Sequence, residues 1–278
     1  MMTRALTFAA LAAALSLPAT TRAAESFDAC TATITSLPVV IASGGRYCLV
    51  ADVATPMASG NAINIDSNNV TIDCNGFKIG NLAAGAGTDT TGILVDRLNT
   101  TVVGCHFRGF EAPIVGVGAH GARIEDNLFE GGHYYGLYMA GDGTSIRGNR
   151  FVDIGGANGG EAIRVAGRGE IRGNTIDGVA PQAGNTAGIV GYGDFLVIDN
   201  TIRGLVAPIA GNESGIAFSG EDSHVFIEHN HLQAETDVGS GVLCPGASIF
   251  RDNSVIGFEA PWTGCTDHGR NAKHAAQP

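Results

Sequence analysis

The chain has 278 residues, a formal net charge of −11, 44% hydrophobic residues and 15% charged residues. An acidic chain has no general electrostatic attraction for the nucleic-acid backbone, so we expect no nucleic-acid partner. Its 41 glycines exceed an average share without forming a low-complexity block, which indicates a fold with many tight turns.

The N-terminus has the pattern of an export signal. Arg4 precedes an apolar run from Ala5 to Leu17, and small residues follow up to Ala24. This order predicts a secretory signal peptide over residues 1–23, removed after Ala23 or Ala24. The run is too short to span a membrane, and no later run is long enough. We therefore expect a secreted or periplasmic protein without a membrane span.

A repeating unit organises the remaining chain. Each unit has an asparagine at one corner, an apolar residue three positions earlier and another two positions later. The corner asparagines are Asn75, Asn127, Asn149, Asn174, Asn200, Asn230 and Asn253, and Cys105 takes their place in one unit. The later apolar column contains Phe77, Phe107, Phe129, Phe151, Ile176, Ile202, Leu232 and Val255.

A third short β-patterned run precedes each corner by about a dozen residues. These runs open at Ile63, Ile93, Ile114, Leu137, Ile163, Ile189, Ile216 and Val242. A short strand with one apolar face cannot bury that face alone, but stacked coils turn each apolar column into an interior ladder and let the asparagines bond to one another. The sequence therefore predicts an all-β, right-handed parallel β-helix of about nine coils, with three short strands per coil.

The sequence GFEAP occurs twice, at Gly109–Pro113 and Gly257–Pro261. Each copy begins four positions after a corner residue, Cys105 or Asn253. We interpret it as a structural corner that ends one strand and turns the chain into the next coil, because glycine tolerates the backbone conformations of tight turns.

The solenoid needs protected ends, because open strand edges invite aggregation. We expect an N-terminal cap at residues 24–60, the β-helix at 61–265 and a C-terminal tail at 266–278. All six cysteines follow the cleavage site, and an oxidising compartment favours disulfides over metal or catalytic thiols. Many pairings are open to six cysteines; the most economical one joins Cys30–Cys48, Cys74–Cys105 and Cys244–Cys265.

These columns, with the opening ITSLPVVIASGGRYCLVADV and the following NNVTIDCNGFKIGN, resemble the pectate-lyase-like right-handed β-helix superfamily, and within it exported bacterial proteins without an assigned activity. The resemblance covers most of residues 30–265. It implies the fold and leaves the function open, because the superfamily includes lyases, glycosidases, esterases, epimerases and adhesins. It also implies that a substrate would lie along the outward face of the first strand of each coil.

That outward face has one spot rich in polar and aromatic residues. It comprises Tyr138, Arg164, Glu161 and Tyr192 with the preceding loop residues His133, Tyr134 and Tyr135. Aromatic rings beside an arginine suit sugars, because rings pack on sugar C–H surfaces while the guanidinium pairs with carboxylates or hydroxyls. Because a polysaccharide lyase needs a base, Arg164 is the candidate catalytic residue, and Tyr138, Glu161, His133, Tyr134 and Tyr192 are candidate ligand-binding residues.

A glycoside hydrolase is the less favoured enzyme. The resemblance would then require an Asp-Asp pair and a Gly-His-Gly sequence, and the chain has neither. Asp66 and Asp96 could stack on adjacent coils as paired carboxylates. Their neighbourhood favours the alternative, that they form turns by bonding to nearby backbone.

Other charged residues have simpler interpretations. Opposite charges on adjacent coils predict exposed pairs between Glu125 and Arg147 and between Glu228 and Arg251. We assign no metal ligands, although the acidic turns are candidates for Ca²⁺, which takes several oxygen ligands. These turns contain Asp142, Asp194, Glu221 and Asp222.

Two functions remain open. The first is recognition, with or without lyase cleavage, of an extracellular polysaccharide or cell-surface glycan along the face centred on Tyr138 and Arg164. The alternative is a non-catalytic surface or periplasmic scaffold, or an adhesin-like protein. In either case we expect a monomer.

Overall fold

The computed structural model describes residues 29–208, 212–235, 239–245 and 248–274. In these ranges the chain is dominated by short β-strands, with a three-residue 3₁₀ helix at Leu82–Ala84. The predicted signal peptide lies outside the described residues.

Successive coils pair in parallel and form three ladders of strands. The first ladder contains β2 (Val39–Ile41), β5 (Ser59–Ile65), β8 (Asp89–Val95), β11 (Ala112–Val117), β20 (Glu213–Ser219), β23 (Ser240–Leu243) and β26 (Ala260–Thr263). The second contains β1 (Ala32–Ile34), β3 (Gly45–Leu49), β6 (Val70–Asp73), β9 (Thr101–Val103), β12 (Arg123–Glu125), β21 (Val225–Glu228), β24 (Ile249–Arg251) and β27 (Thr266–Asp267). Three strands of 13 residues run through both ladders: β14 (Tyr135–Arg147), β16 (Gly160–Arg172) and β18 (Thr186–Ile198).

The third ladder is a separate sheet of ten strands in the described part of the chain. It contains β4 (Val53–Ala54), β7 (Lys78–Gly80), β10 (His106–Arg108), β13 (Leu128–Glu130), β15 (Arg150–Ile154), β17 (Thr175–Val179), β19 (Thr201–Leu205), β22 (His231–Ala234), β25 (Ser254–Ile256) and β28 (Ala272–His274). The predicted all-β parallel β-helix with three short strands per coil is confirmed. Paired strands also extend beyond the expected solenoid boundaries, through β1 to β4 at one end and β27 and β28 at the other.

The inward column of the first ladder has the predicted register. Ile63 pairs with Ile93 and Ile163 with Ile189, and Trp262 continues the column beyond Val242. The isoleucines are fully buried. Burying one such side chain contributes roughly 1.5–3 kcal/mol, so a column repeated coil after coil holds the stack together.

Three phenylalanine side chains on neighbouring strands of the third ladder stack on one another. Phe107 and Phe129 lie 5.3 Å apart between ring centroids, and Phe129 and Phe151 lie 4.6 Å apart, with nearly parallel planes. The predicted place of Phe77 in this column is wrong. Ile79 pairs with Phe107, and Phe77 is only half-buried, because the corner after Cys74 is longer than the other corners.

The corner asparagines bond from coil to coil. Asn149 is representative: its Nδ2 donates to Asn174 Oδ1 at 3.0 Å and to the Ile124 carbonyl at 2.8 Å, and its Oδ1 accepts from Asn127. The same pattern joins Asn127, Asn149, Asn174, Asn200, Asn230 and Asn253. These side chains are almost fully buried, so the ladder satisfies polar groups that burial would otherwise destabilise.

The two ends of this ladder differ from the expectation. Asn75 does not join it: its Nδ2 donates to the Leu49 carbonyl, and its backbone has a positive φ of 50°. Cys105 fills the corner of the following coil and its backbone N–H donates to Asn127. At the other end, Asn271 extends the ladder by accepting from Asn253 Nδ2 at 3.1 Å.

The economical disulfide pairing is confirmed. The bonds join Cys30 to Cys48, Cys74 to Cys105 and Cys244 to Cys265, and each one links neighbouring coils. Such bonds are typical of extracellular or periplasmic proteins.

The two GFEAP corners have the same geometry. Gly109 and Gly257 have φ values of 80° and 79°, and Phe110 and Phe258 are buried behind them. A Cβ on Gly109 would lie 2.7 Å from the Leu82 backbone nitrogen. A side chain at either glycine would therefore strain the corner.

Candidate functional site

A cleft lies on the outward face of the first ladder, over strands β16, β18, β20 and β23. This cleft has a volume of about 520 Å³. Its lining includes Tyr134, Glu161, Arg164, Tyr192, Asn212 and Glu213. The cleft thus gathers side chains from coils that are far apart in sequence.

Strand alternation explains why Arg164 faces the cleft. Its neighbours Ile163 and Val165 are fully buried in the core, and successive side chains on a strand point to opposite faces. Arg164 pairs in register with Tyr138 on one side and Val190 on the other. Arg164 therefore places a positive charge in the outward column of the central coils.

Arg164 is bound to Glu161. Its Nη1 donates to Oε1 at 2.7 Å and to Oε2 at 2.8 Å, and both side chains are largely buried. Burial lowers the pKa of Arg164, but the hydrogen bond and the charge of Glu161 outweigh it, and the pKa is raised above its usual value. Arg164 therefore stays protonated in this arrangement.

Three tyrosines of the preceding coil lie beside this pair. Tyr134 and Tyr135 meet edge to face with ring centroids 4.5 Å apart, and Tyr135 and Tyr138 lie 5.7 Å apart in a stacked arrangement. The Arg164 guanidinium carbon lies 6.0 Å from the Tyr135 ring centre, which is within cation–π range. Tyr135 is therefore the tyrosine whose ring faces the guanidinium.

The environment of Tyr135 can be tested by titration. Burial, followed by the charge of Glu161, raises its pKa to about 12. Because the folded pKa exceeds the unfolded value, the stability contributed by neutral Tyr135 is present below about pH 10 and is lost as pH rises towards 12. Ultraviolet titration of the wild type minus Tyr135→Phe should show one tyrosine ionising near pH 12. A difference curve centred near pH 10 would contradict this.

The structure brings together only part of the predicted site. Arg164, Glu161, Tyr134 and Tyr192 line the cleft. Tyr138 lies beside them through its stacking with Tyr135, outside the lining. His133 lies apart: its backbone N–H donates to the Phe110 carbonyl, and burial lowers its side-chain pKa.

Sequence reasoning missed several polar residues of the cleft, among them Glu213, Asn185 and Asn212. Glu213 is 2% exposed, and its Oε2 accepts from the Ala207 backbone N–H at 3.3 Å. Asn185 and Asn212 are exposed at the rim. Asn185 and Asn212 come just before strands of the first ladder, and Glu213 is the first residue of β20. These three residues lie outside the outward column that contains Arg164, so the repeat pattern did not identify them.

Four of the other acidic candidates are engaged outside the cleft. Arg97 pairs with both Asp66 and Asp96, at the N-terminal end of the solenoid. Asp142 pairs with Arg168 at 3.1 Å, and Asp194 accepts from the His224 backbone N–H at 2.9 Å. Among the described residues, no three histidine, cysteine or acidic side chains lie together as a metal site would require.

The predicted exposed ion pairs are partly changed. Arg251 Nε lies 2.8 Å from Glu228 Oε1, as predicted. Arg147 pairs with Glu170 of the following coil instead of Glu125 of the preceding one. Adjacent coils offer two neighbours to each side chain, and the sequence alone does not decide between them.

Chemically, the cleft is suited to holding polar ligands. It presents charged donors and acceptors, amides and two aromatic rings, all on the rigid flank of a sheet. Such a set can hydrogen-bond hydroxyl groups and pack against apolar ring faces.

Comparison with known protein families supports the fold. The family described as right handed beta helix region matches residues 39–202 and 91–260. The crystal structure of Dettilon tailspike protein has a TM-score of 0.41 and 15% identity, covering 87% of this chain and 51% of that one. The chain thus spans about half the length of that protein. No protein of curated function matches.

Within the described residues, no helix has the length and apolar character needed to cross a membrane.

Proposed function

This chain belongs to the right-handed β-helix family, and from that premise we propose that it binds an extracellular polysaccharide in the cleft between Tyr134 and Tyr192. One observation carries the proposal: an arginine–glutamate pair with tyrosines beside it lines a cleft of about 520 Å³ on the flank of the solenoid. The volume is in the ordinary range for ligand sites.

The solenoid supplies a suitable platform for a polymer. Parallel strands repeat every ~4.8 Å along the axis, and the cleft extends over several of these repeats. A linear chain of sugars can therefore lie across successive coils and contact equivalent positions. The three disulfides fit an extracellular or periplasmic setting for such a ligand.

Binding fits this geometry better than lyase cleavage. A lyase mechanism with Arg164 as base would require it to lose a proton. The hydrogen bonds to Glu161 stabilise the protonated guanidinium and raise its pKa, which opposes that step. Arg164 is better suited to hydrogen-bonding sugar oxygens while it remains charged.

An affinity comparison of two arginine variants tests the proposal. Arg164→Ala should weaken binding of the best glycan from an array about ten-fold or more, because a charged donor to the sugar is lost. Arg168→Ala is the matched control, since Arg168 lies on the same strand but outside the cleft and pairs with Asp142. It should leave affinity within about two-fold.

Two outcomes would contradict the proposal. Equal affinity in the wild type and Arg164→Ala would place the glycan elsewhere on the surface. Failure of the wild type to bind any glycan in the array would favour the non-catalytic scaffold.

A further inference from the structure

The floor of the cleft is apolar along one side. Arg164 pairs in register with Val190 on the next coil. Val190 pairs in turn with Ala217, and Ala217 with Leu243. The last three residues form an apolar column beyond Arg164; they line the cleft and are half-buried. Over the two strand spacings of this column, roughly 10 Å, its side chains carry no hydrogen-bonding atom.

The other side of the floor is polar. Ala187 pairs with Ser214 and Ser214 with Ser240, which gives a second column of the cleft nearer the strand starts. The amides of Asn185 and Asn212 lie at the rim on this same side. Hydroxyl and amide groups can both donate and accept hydrogen bonds. The cleft is therefore amphipathic across its width.

From this division we infer that the cleft selects a glycan containing a 6-deoxyhexose, a sugar with a methyl group where the parent hexose has a hydroxymethyl group. The inference rests on the proposed polysaccharide binding and specifies its substrate class. A sugar ring whose hydroxyls face Ser214 and Ser240 turns its opposite edge towards the apolar column. A methyl group on that edge leaves water for apolar contacts, which is favourable.

Other substituents suit the apolar column less well. A hydroxymethyl group at this place would bury its hydroxyl without a hydrogen-bond partner, which is unfavourable. An acetyl group also carries a methyl, but its carbonyl oxygen would meet the same lack of partners. The methyl group of a 6-deoxyhexose brings no polar atom and avoids this cost.

Calorimetric titration of the purified chain with matched oligosaccharides tests this selection. The probes are glucose, galactose and mannose oligosaccharides and their 6-deoxy counterparts, with the same length, linkage and configuration within each pair. In the pair that binds best, the 6-deoxy member should bind about five-fold more tightly or better. We expect less discrimination than in an enclosed apolar pocket, because the residues of the column are only half-buried.

The possible failures of this titration are distinguishable. Equal or tighter binding of the hexose member of that pair would overturn the inference and leave the proposed function standing. Binding of a uronate glycan with no binding of any probe would do the same. Absence of binding by every probe and every glycan in the array would overturn both.

A matched pair of threonine variants locates the effect. Val190→Thr keeps the side-chain shape and puts a hydroxyl into the apolar column, so the preference for the 6-deoxy member should fall about three-fold or more. Val115→Thr makes the same change in the same outward column but outside the cleft, and should leave the preference unchanged. Both positions are half-buried on strands, where threonine is well tolerated. An unchanged preference in Val190→Thr would overturn the inference.

Discussion

Replacing Asn174 with alanine is expected to lower the free energy of unfolding by about 4 kcal/mol. The side chain is 1% exposed. Its Oδ1 accepts from the backbone N–H of Asn149 at 2.9 Å and from Asn149 Nδ2 at 3.0 Å, and its Nδ2 donates to the Ile146 carbonyl at 3.0 Å. Alanine leaves these buried groups without partners, and each unsatisfied group costs roughly 1–3 kcal/mol.

Urea unfolding of Asn174→Ala and Asn64→Ala measures this effect. Asn64 lies on the outward face of β5, is half-buried, and in the described structure its side chain makes no hydrogen bond. Its replacement should change the unfolding free energy by about 0.5 kcal/mol or less. Similar losses in the two variants would mean that the asparagine ladder does not hold the coils together.

Truncation of Phe129 should have an effect of similar size. The ring is fully buried and stacks against Phe107 on one side and Phe151 on the other. Phe129→Ala removes its packing on both sides and leaves a cavity in the middle of the solenoid. We expect a loss of about 4–5 kcal/mol, which combines the cost of truncating a core phenylalanine with the loss of two ring contacts.

Phe226→Ala provides the matched control for Phe129→Ala. Phe226 lies on the second ladder with its side chain outward and is 40% exposed. Its truncation should cost about 1 kcal/mol or less, measured by the same unfolding experiment. A cost for Phe129→Ala no larger than this would show that the ring stack is not part of the core.

The Asn174 substitution also bears on function, because the cleft depends on coil stacking. Arg164, Val190 and Ala217 occupy one outward column on adjacent strands. Their spacing is set by the ladders beneath them, and Asn174 and Asn200 belong to the same coils. Loosening these corners should therefore weaken ligand binding without altering any side chain of the cleft.

The fold could be predicted because equivalent residues repeat in equivalent environments. Ile163 and Ile189 occupy the same inward position on successive coils, so their spacing in the sequence reports the register directly. The prediction was wrong where a corner changes length. At Cys74 the extra residues shift the apolar position from Phe77 to Ile79, and nothing in the local pattern marks this shift.

The site was harder to predict because its chemistry depends on contacts outside the repeat. Glu213, Asn185 and Asn212 reach the cleft from strand starts and rims, where insertions break the periodicity. The sequence places Glu161 near Arg164, but the double hydrogen bond that occupies the guanidinium depends on side-chain conformation. Because that bond stabilises the protonated form of Arg164, the site suits sugar binding better than the lyase step predicted for this residue.

The most direct test of polysaccharide binding is a crystal structure of the protein soaked with the oligosaccharide that binds best in the array. We predict sugar density in the cleft, with a ring packed on Tyr134 or Tyr192 and hydroxyl oxygens within hydrogen-bonding distance of Arg164. Sugar density confined to another surface, such as the apolar groove formed by Ala54, Pro56 and Leu82, would contradict the account.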